Sequence, residues 1–305
     1  METRADLIEY IRESLQKQGF SVTGEHFLGS SIFDIAAKRD DLVYLIKVLF
    51  NVDSLKANIS LDMRVLAKPL EALPLLIGKV CNSGPLEDEV VYMRHSISTM
   101  TERTFLEYAS EESLPLIYAA PGGFYARMDG RILKKLREER NISISTLAGV
   151  ARVSRKAITL YESEVMGANI DVVTRIEAFL DAPLTLPVDL EDLLGDDVVR
   201  ERVMHNTKIF EILRELGYNV STFKRSPIDA VVSREEHVIS QIGGGNMKWR
   251  LEALIELSEV IDEAGVVFVK KSNKDNYKSI SIISEEELWD HGDDLFRIIE
   301  KKKKR

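Results

Sequence analysis

The chain has 305 residues, of which 45% are hydrophobic and 30% are charged, and its formal net charge is −9 at pH 7. This length predicts two or three domains, and the composition is that of an ordinary globular protein. The single cysteine, Cys81, excludes an internal disulfide framework and a cysteine-based zinc finger.

The amino-terminal residues METRADLIEY contain no apolar leader segment, and no apolar run reaches the length of a membrane span. We therefore expect a cytoplasmic protein without a membrane partner. The five histidines are scattered, with no pair at metal-ligand spacing, so neither a metal site nor a cofactor is expected.

Residues 1–112 are predicted to form a first α/β module. An amphipathic helix at 5–18 ends at Gly19, and Thr101 caps a short helix near the end of the module. The strands between them are expected at 20–22, 32–37, 42–49, 75–77 and 89–98.

The stretch GSSIFDIAAKRDDLVYLIKV at 29–48 resembles the metal-dependent nuclease fold of archaeal Holliday-junction resolvases and Mrr-type restriction enzymes. The resemblance implies a strand ending in an acid, then a strand with an acid, one residue and a lysine, which together hold Mg²⁺ at a phosphate. Asp34 and Lys47 fall at suitable positions, but Leu45 replaces the second acid. Because a single carboxylate anchors Mg²⁺ poorly, we expect a degenerate scaffold and not an enzyme.

Residues 113–130 are predicted to form a connecting β-hairpin across Pro121-Gly122-Gly123, and it leads into a helical domain at 131–186. In that domain, RILKKLREERNISISTLAGVARVSRKAITLYES at 131–163 reads as a helix-turn-helix. Ser143 and Ser154 are expected to cap its two helices. The inward residues are Leu147, Ala148, Ile158 and Tyr161.

The motif carries a net positive charge, although the whole chain is acidic. Residues 131–163 hold eight Lys/Arg against three Glu, which favours a local contact with DNA phosphates. The residues expected to meet DNA are Ser143, Arg152, Ser154, Arg155, Lys156 and Thr159.

The stretch resembles the Cro/C1-type helix-turn-helix family at its spacing and without a gap. It departs from the family at Arg152, which occupies the turn position usually held by Gly, and at Ile144, where a polar phosphate contact is common. A left-handed backbone at Arg152 would carry a modest strain.

The remaining sequence repeats the element order of the first module. Residues 187–205 are expected to be a linker, and 206–305 a second α/β module with a solvated basic tail at 301–305. Asp229 matches Asp34, but no lysine matches Lys47. Ser284-Glu285-Glu286-Glu287-Leu288-Trp289 is a capping box that matches Thr101 to Leu106.

Two other features of the second module carry weaker expectations. The run Gly243-Gly244-Gly245 fits a strand-to-helix turn better than a phosphate loop, because it lacks the dinucleotide spacing and a following Lys-Ser/Thr. Trp249 and Trp289 are expected in the core or at an interface.

Taken whole, the chain resembles the archaeal family of Cro/C1-type helix-turn-helix transcriptional regulators. The fold class expected is two nuclease-like α/β modules flanking a helical DNA-binding domain. The resemblance implies a regulator that binds double-stranded DNA, and it supplies no effector. One such motif reads only a few base pairs, so we expect a homodimer. Two alternatives stay open: a metal-dependent nuclease targeted by the helix-turn-helix, and a protein-interaction adaptor.

Overall fold

A computed structural model describes residues 3–24, 32–111, 113–191, 193, 207–223, 226–234, 236–243, 248–272 and 274–303. The chain divides into two compact units. The first comprises residues 1–50, 54–76 and 196–305, and the second comprises 51–53 and 77–195.

The elements are named in chain order. The helices are α1 (Arg4–Lys17), α2 (Ala57–Ala67), α3 (Glu102–Ala109), α4 (Gly130–Glu139), α5 (Ile144–Ala151), α6 (Arg155–Glu162), α7 (Ile170–Leu180), α8 (Lys208–Glu215), α9 (Lys248–Ile261), α10 (Glu285–His291) and α11 (Leu295–Lys303). The strands are β1 (Ser21–Val22), β2 (Ile35–Arg39), β3 (Leu42–Val48), β4 (Leu73–Ile77), β5 (Val80–Cys81), β6 (Gly84–Pro85), β7 (Val90–Arg94), β8 (Ile97–Met100), β9 (Ile117–Ala120), β10 (Gly123–Met128), β11 (Ala168–Asn169), β12 (Thr185–Leu186), β13 (Asn219–Thr222), β14 (Ala230–Ser233), β15 (His237–Ile242), β16 (Ala264–Val269), β17 (Asn276–Tyr277) and β18 (Ile280–Ser284).

Side-chain caps fix where several helices begin. The Thr101 hydroxyl accepts a hydrogen bond from the backbone N–H of Thr104, and the Ser284 hydroxyl accepts one from that of Glu287. At Ser284 the Glu287 carboxylate also accepts from the capping residue, which completes the predicted capping box. These caps satisfy N–H groups that have no partner within the helix.

The first unit contains strands in two series with the same order. β1-β2-β3-β4 are neighbours in one series, and β13-β14-β15-β16 in the other, which continues to β18 and β17. In both series the first three strands are antiparallel, and β15, β16 and β18 run parallel. The buried faces of α1 and α8 lie on the sheets, as their apolar periodicity predicts.

The two series contact each other within the first unit through α9, which packs against β1 and β2. The Lys38 ammonium donates to the carbonyl of Ile261 at 2.9 Å, and the N–H of Gly24 donates to the Glu256 carboxylate. The apolar residues of α9 are also buried, so this helix packs against both its own sheet and the neighbouring one.

The second unit is built on β10. This strand pairs antiparallel with β9, β11 and β12, and β9 pairs parallel with β7. The predicted hairpin between β9 and β10 is present, with positive φ at Gly122 and Gly123. β10 also places Ala126 and Met128 in the core of α4 to α7. The hairpin is therefore part of the helical core as well as a connection.

One sequence expectation about secondary structure was wrong. Residues 89–98 are not one strand: β7 and β8 meet at His95 and Ser96, whose φ values of 50° and 62° form a tight turn. Trp249 and Trp289 were expected in the core or at an interface. They are not in the core, because 53% and 54% of their surface is exposed, and the interface stays a prediction. Hydrophobic periodicity alone therefore did not predict whether these two helical side chains are buried.

The basic tail is also not simply solvated. Lys301 to Lys303 continue α11, and Lys302 is buried against Asp275 at 3.0 Å and Glu287 at 2.7 Å. Carboxylates on both sides offset the cost of burying this ammonium group. Residues 304 and 305 lie outside the described residues, as do Gly244 and Gly245 of the glycine run and most of 187–205. At the start of that expected linker, Val188 is buried and bonds to the Pro115 carbonyl.

None of the helices in the described part of the chain has the length and apolar character needed to cross a membrane.

Candidate nucleic-acid interface

The helix-turn-helix forms as its sequence predicts. The Ser143 hydroxyl accepts from the N–H of Thr146 at 3.0 Å to start α5, and the Ser154 hydroxyl accepts from that of Ala157 at 3.1 Å to start α6. The four predicted inward residues, Leu147, Ala148, Ile158 and Tyr161, are buried in one cluster. The small Ala148 allows the two helices to approach closely at their crossing.

The turn between α5 and α6 depends on Arg152, which adopts φ 57° and ψ 43°. This is the left-handed conformation expected for the position, and it is strained for any residue with a Cβ. Arg175 on α7 supports the turn by donating two hydrogen bonds, at 3.2 and 2.9 Å, to the Ala151 carbonyl. The Arg152 side chain stays exposed.

The outward face of α6 presents Arg155, Lys156 and Thr159, all exposed. The Thr159 hydroxyl donates to the Arg155 carbonyl at 3.2 Å. Within the described part of the chain, neither Arg155 nor Lys156 forms an ion pair. A guanidinium and an ammonium group at the amino-terminal end of a short helix are thus available for an anion or a base edge.

One of the eight cations of the motif does not lie on its surface. Arg137 is buried and forms a two-point ion pair with Glu162, Nε to Oε1 at 2.5 Å and Nη2 to Oε2 at 3.1 Å. It also donates to the Ile142 carbonyl. Arg137 is therefore a core residue. Seven exposed Lys/Arg and two exposed Glu remain between 131 and 163, a local charge of +5.

The start of α4 is fixed against the end of α6. A Cβ on Gly130 would lie 2.4 Å from the Tyr161 carbonyl oxygen, so a larger residue does not fit there. The N–H of Gly130 donates to the Glu164 carboxylate at 3.1 Å, and Asp129 caps α4. The sequence analysis did not predict the packing of Gly130 against α6. The Asp129-Gly130 pair directly before the motif could have indicated it, because Asp is a common helix cap and Gly allows close approach.

In the first series, the aspartate at the nuclease-like position, Asp34, is bound to other groups of the protein. Asp34 is 1% exposed, and its carboxylate pairs with Arg4 at 2.5 Å and Lys47 at 3.2 Å. It also accepts from the N–H of Val48 at 2.8 Å. Burial lowers the pKa of Lys47, and attraction to Asp34 opposes this shift. Leu45, at the place of a second acid, is buried.

In the second series, Asp229 takes the place of Asp34 but, among the described residues, has one ion-pair partner and no matching lysine. Asp229 pairs with Arg250 at 2.6 Å and accepts from the N–H of Ile242 at 2.8 Å. Gln241 stands where Lys47 stands in the first series, and its amide donates to backbone carbonyls. Ile239 is buried at the place of the second acid. Arg4 and Arg250, which form ion pairs with Asp34 and Asp229, were not predicted from the sequence.

In the ranges that the structure describes, no group of three or more His, Cys, Asp or Glu side chains could hold a metal ion. Asp34 and Asp229 are engaged in ion pairs and backbone hydrogen bonds at strand ends, whereas Arg155, Lys156 and Thr159 on the outward face of α6 are exposed.

Comparison with known proteins matches two family models, a PD-(D/E)XK superfamily domain over residues 4–115 and a helix-turn-helix over residues 133–186. These matches confirm both resemblances and the fold class of α/β parts with a helical domain. No solved structure matches the chain.

The relatives include three archaeal proteins that are each named a putative HTH-type transcriptional regulatory protein. The chain is 34% identical to that of Methanocaldococcus jannaschii, over 98% of this chain and 96% of the relative. It is 34% identical to that of Pyrococcus horikoshii, over 97% of each. It is 32% identical to that of Thermoplasma volcanium, over the full length of both.

Proposed function

Because the chain belongs to the archaeal family of helix-turn-helix transcriptional regulatory proteins, we propose that it is a sequence-specific DNA-binding regulator that acts as a homodimer in the cytoplasm. The observation that carries the proposal is the outward face of α6, where Arg155 and Lys156 are exposed and unpaired within the described residues. A helix with this exposed basic start, held by a rigid turn, suits the major groove of DNA.

We assign the base contact to Arg155 or Lys156, and most directly to Arg155, whose guanidinium matches the two acceptors of guanine. The exposed hydroxyls of Ser143 and Ser154, together with Arg152, are assigned to phosphates, since such contacts fix orientation without reading sequence. Thr159 lies one turn further along α6 and meets the edge of the same site.

The homodimer is proposed on physical grounds. One helix-turn-helix buries little surface and reads a few base pairs, so useful specificity needs a second copy. The chain contains one such motif. A second chain would give an inverted-repeat operator, and the α/β modules would set the separation of the reading helices.

We propose that the nuclease-like modules, at 1–112 and 206–305, are scaffolds without catalytic activity. The helix-turn-helix domain at 131–186 lies between them, with the hairpin at 113–130 and the segment 187–205 as connections. The engaged carboxylates of Asp34 and Asp229 support this reading. The runner-up is a nuclease, favoured by the PD-(D/E)XK match over residues 4–115.

The test is selection of bound fragments from a random genomic DNA library, followed by sequencing. A regulator enriches a defined inverted repeat, whereas an adaptor enriches no sequence. A parallel incubation of linear and branched DNA with Mg²⁺ or Mn²⁺ tests the nuclease. Metal-dependent cutting that is lost in Asp34→Ala would overturn the assignment as a non-enzyme. Light scattering on the complex with the enriched site should give two chains per site.

A further inference from the structure

A wide, shallow cavity of 740 Å³ lies open at the surface of the second α/β module, at the carboxyl ends of β16 and β18. These strands are parallel neighbours, with Val269 paired to Ser284 at their last positions. Lys270 and Lys271 follow β16 directly, and α10 starts directly after β18. Ligands of open sheets with parallel strands bind in the crevice at this end, and the volume is in the range of small-molecule sites.

One wall of the cavity is cationic and another is aromatic. Lys270 and Lys271 line it and are exposed, and within the described residues neither pairs with a carboxylate. The third lysine, Lys208, is already paired with Glu285. Trp289 also lines the cavity with 54% of its surface exposed, so its indole has a free face. Ammonium groups bind phosphate, and an indole stacks on a planar ring.

The other lining groups restrict the ligand further. Glu286 and Asp290 lie four residues apart on α10, beside Trp289, and both are exposed in the cavity. Carboxylates accept hydrogen bonds and repel other anions. A ligand that fits this wall therefore carries hydroxyl or amino groups near its aromatic ring, and its negative charge elsewhere.

These requirements together describe one chemical class. We propose that the cavity binds a mononucleotide, with its base on Trp289 and its phosphates on Lys270 and Lys271. Glu286 and Asp290 accept hydrogen bonds from the ribose hydroxyls or from the amino group of the base. This ligand is small, soluble and of the kind that reports the state of a cell, so it suits an effector of a regulator.

The corresponding place in the first module is closed. There Leu106 matches Trp289 and is 8% exposed, and Glu102 matches Glu285 and is 7% exposed. Lys79, which follows β4, pairs directly with Glu102. Both modules have a lysine after the strand and an acid at the start of the helix, but the second module has an exposed indole, and among the described residues Lys270 and Lys271 have no carboxylate partner. The opening is thus a property of the second module.

Tryptophan fluorescence gives a direct test, since the chain has two tryptophans. In Trp249→Phe, Trp289 is the remaining reporter. The full-length variant is titrated with ATP, GTP, CTP and UTP, and with sodium triphosphate as the control lacking a base. We expect saturable quenching with at least one nucleotide and none with triphosphate alone. The absence of saturable quenching with all four nucleotides would overturn the proposal.

Two further variants, made in Trp249→Phe, identify the phosphate contact. Lys270→Ala with Lys271→Ala should weaken nucleotide binding tenfold or more, while Lys274→Ala, an exposed lysine on the same segment, should not change it. Equal affinity in all variants would contradict the assignment. Quenching by a single-stranded oligonucleotide but by no mononucleotide would also overturn it. The titrations contain no operator DNA, so their outcome is separate from that of the DNA selection.

Discussion

Asp34 and Asp229 occupy equivalent strand ends and make the same backbone contacts. The N–H of Asp34 donates to the Ile46 carbonyl at 2.8 Å, and that of Asp229 donates to the Ser240 carbonyl at 2.8 Å. Each carboxylate also accepts the N–H two residues further along the partner strand, again at 2.8 Å. This shared geometry supports the proposal that the two modules are copies of one fold.

The first prediction concerns the role of this aspartate. Asp34→Asn leaves the buried Lys47 without its anion, so the free energy of unfolding should fall by roughly 3 kcal/mol. Chemical denaturation measures the change, with Asp41→Asn in the exposed turn between β2 and β3 as the control. Because the Asp34 oxygens are engaged, added Mg²⁺ should not raise the melting temperature of the wild type. Stabilisation by Mg²⁺ that is lost in Asp34→Asn would instead indicate a metal site.

The second prediction concerns the buried ion pair under the reading helix. Arg137→Met leaves the Glu162 carboxylate buried and unpaired, so it should lower the stability by roughly 3–5 kcal/mol. Lys134→Met, at an exposed position of the same helix, should change it by less than about 0.5 kcal/mol. Denaturation followed by circular dichroism measures both. Equal effects of the two substitutions would show that the pair does not hold the motif together.

The third prediction separates backbone strain from charge at the turn. Arg152→Gly relieves the left-handed conformation and should raise the free energy of unfolding by up to about 1 kcal/mol, whereas Arg152→Ala keeps the strain. Both variants lose one cation, so both should reduce the salt dependence of DNA binding by roughly 0.9 log units per log unit of salt. Thermal melts and salt titrations measure the two effects. Unchanged salt dependence would remove Arg152 from the phosphate contacts.

The fourth prediction concerns pH and the end of α11. Burial alone would raise the pKa of Glu287, but hydrogen bonds from Lys302 and Ser284 outweigh it and hold the pKa below its usual value. A carboxyl with a lowered pKa stabilises the fold above its unfolded value of about 4.3, and loses this effect as the pH falls through the folded value.

Lys302→Met should therefore cost roughly 1 kcal/mol at neutral pH, a small value because Glu287 is partly exposed. The difference from the wild type should shrink below a pH of about 4. Lys301→Met, at the exposed neighbouring position, serves as the control. Denaturation curves at several pH values measure this. A constant difference down to acidic pH would mean that Lys302 acts through packing and not through its charge.

Much of the site could be predicted because its determinants are local. Caps at Ser143, Ser154 and Ser284 depend on residues three positions apart, and the buried faces of the motif follow helical periodicity. The left-handed turn at Arg152 followed from the motif spacing.

The features that sequence missed depend on contacts between distant residues. The Arg137–Glu162 pair joins two helices, although Arg137 lies one turn after the buried Leu133 and its position was a usable signal. The packing of α9 on β2 and the burial of Lys302 have no local signature. Exposure of Trp289 depends on what covers the module, and no periodic pattern encodes that.

Whether α6 reads base sequence is measured most directly by a specificity ratio. It compares the dissociation constants of the selected site and a shuffled site by fluorescence anisotropy, for the wild type, Arg155→Ala and Lys156→Ala. The half-sites of the selected operator should lie about 34 Å apart, or a multiple of it. We expect one of these substitutions to cost roughly 1–3 kcal/mol on the selected site and much less on the shuffled one. Equal losses on both sites for both variants would show that α6 meets only phosphates, and would contradict the assignment as a sequence-reading helix.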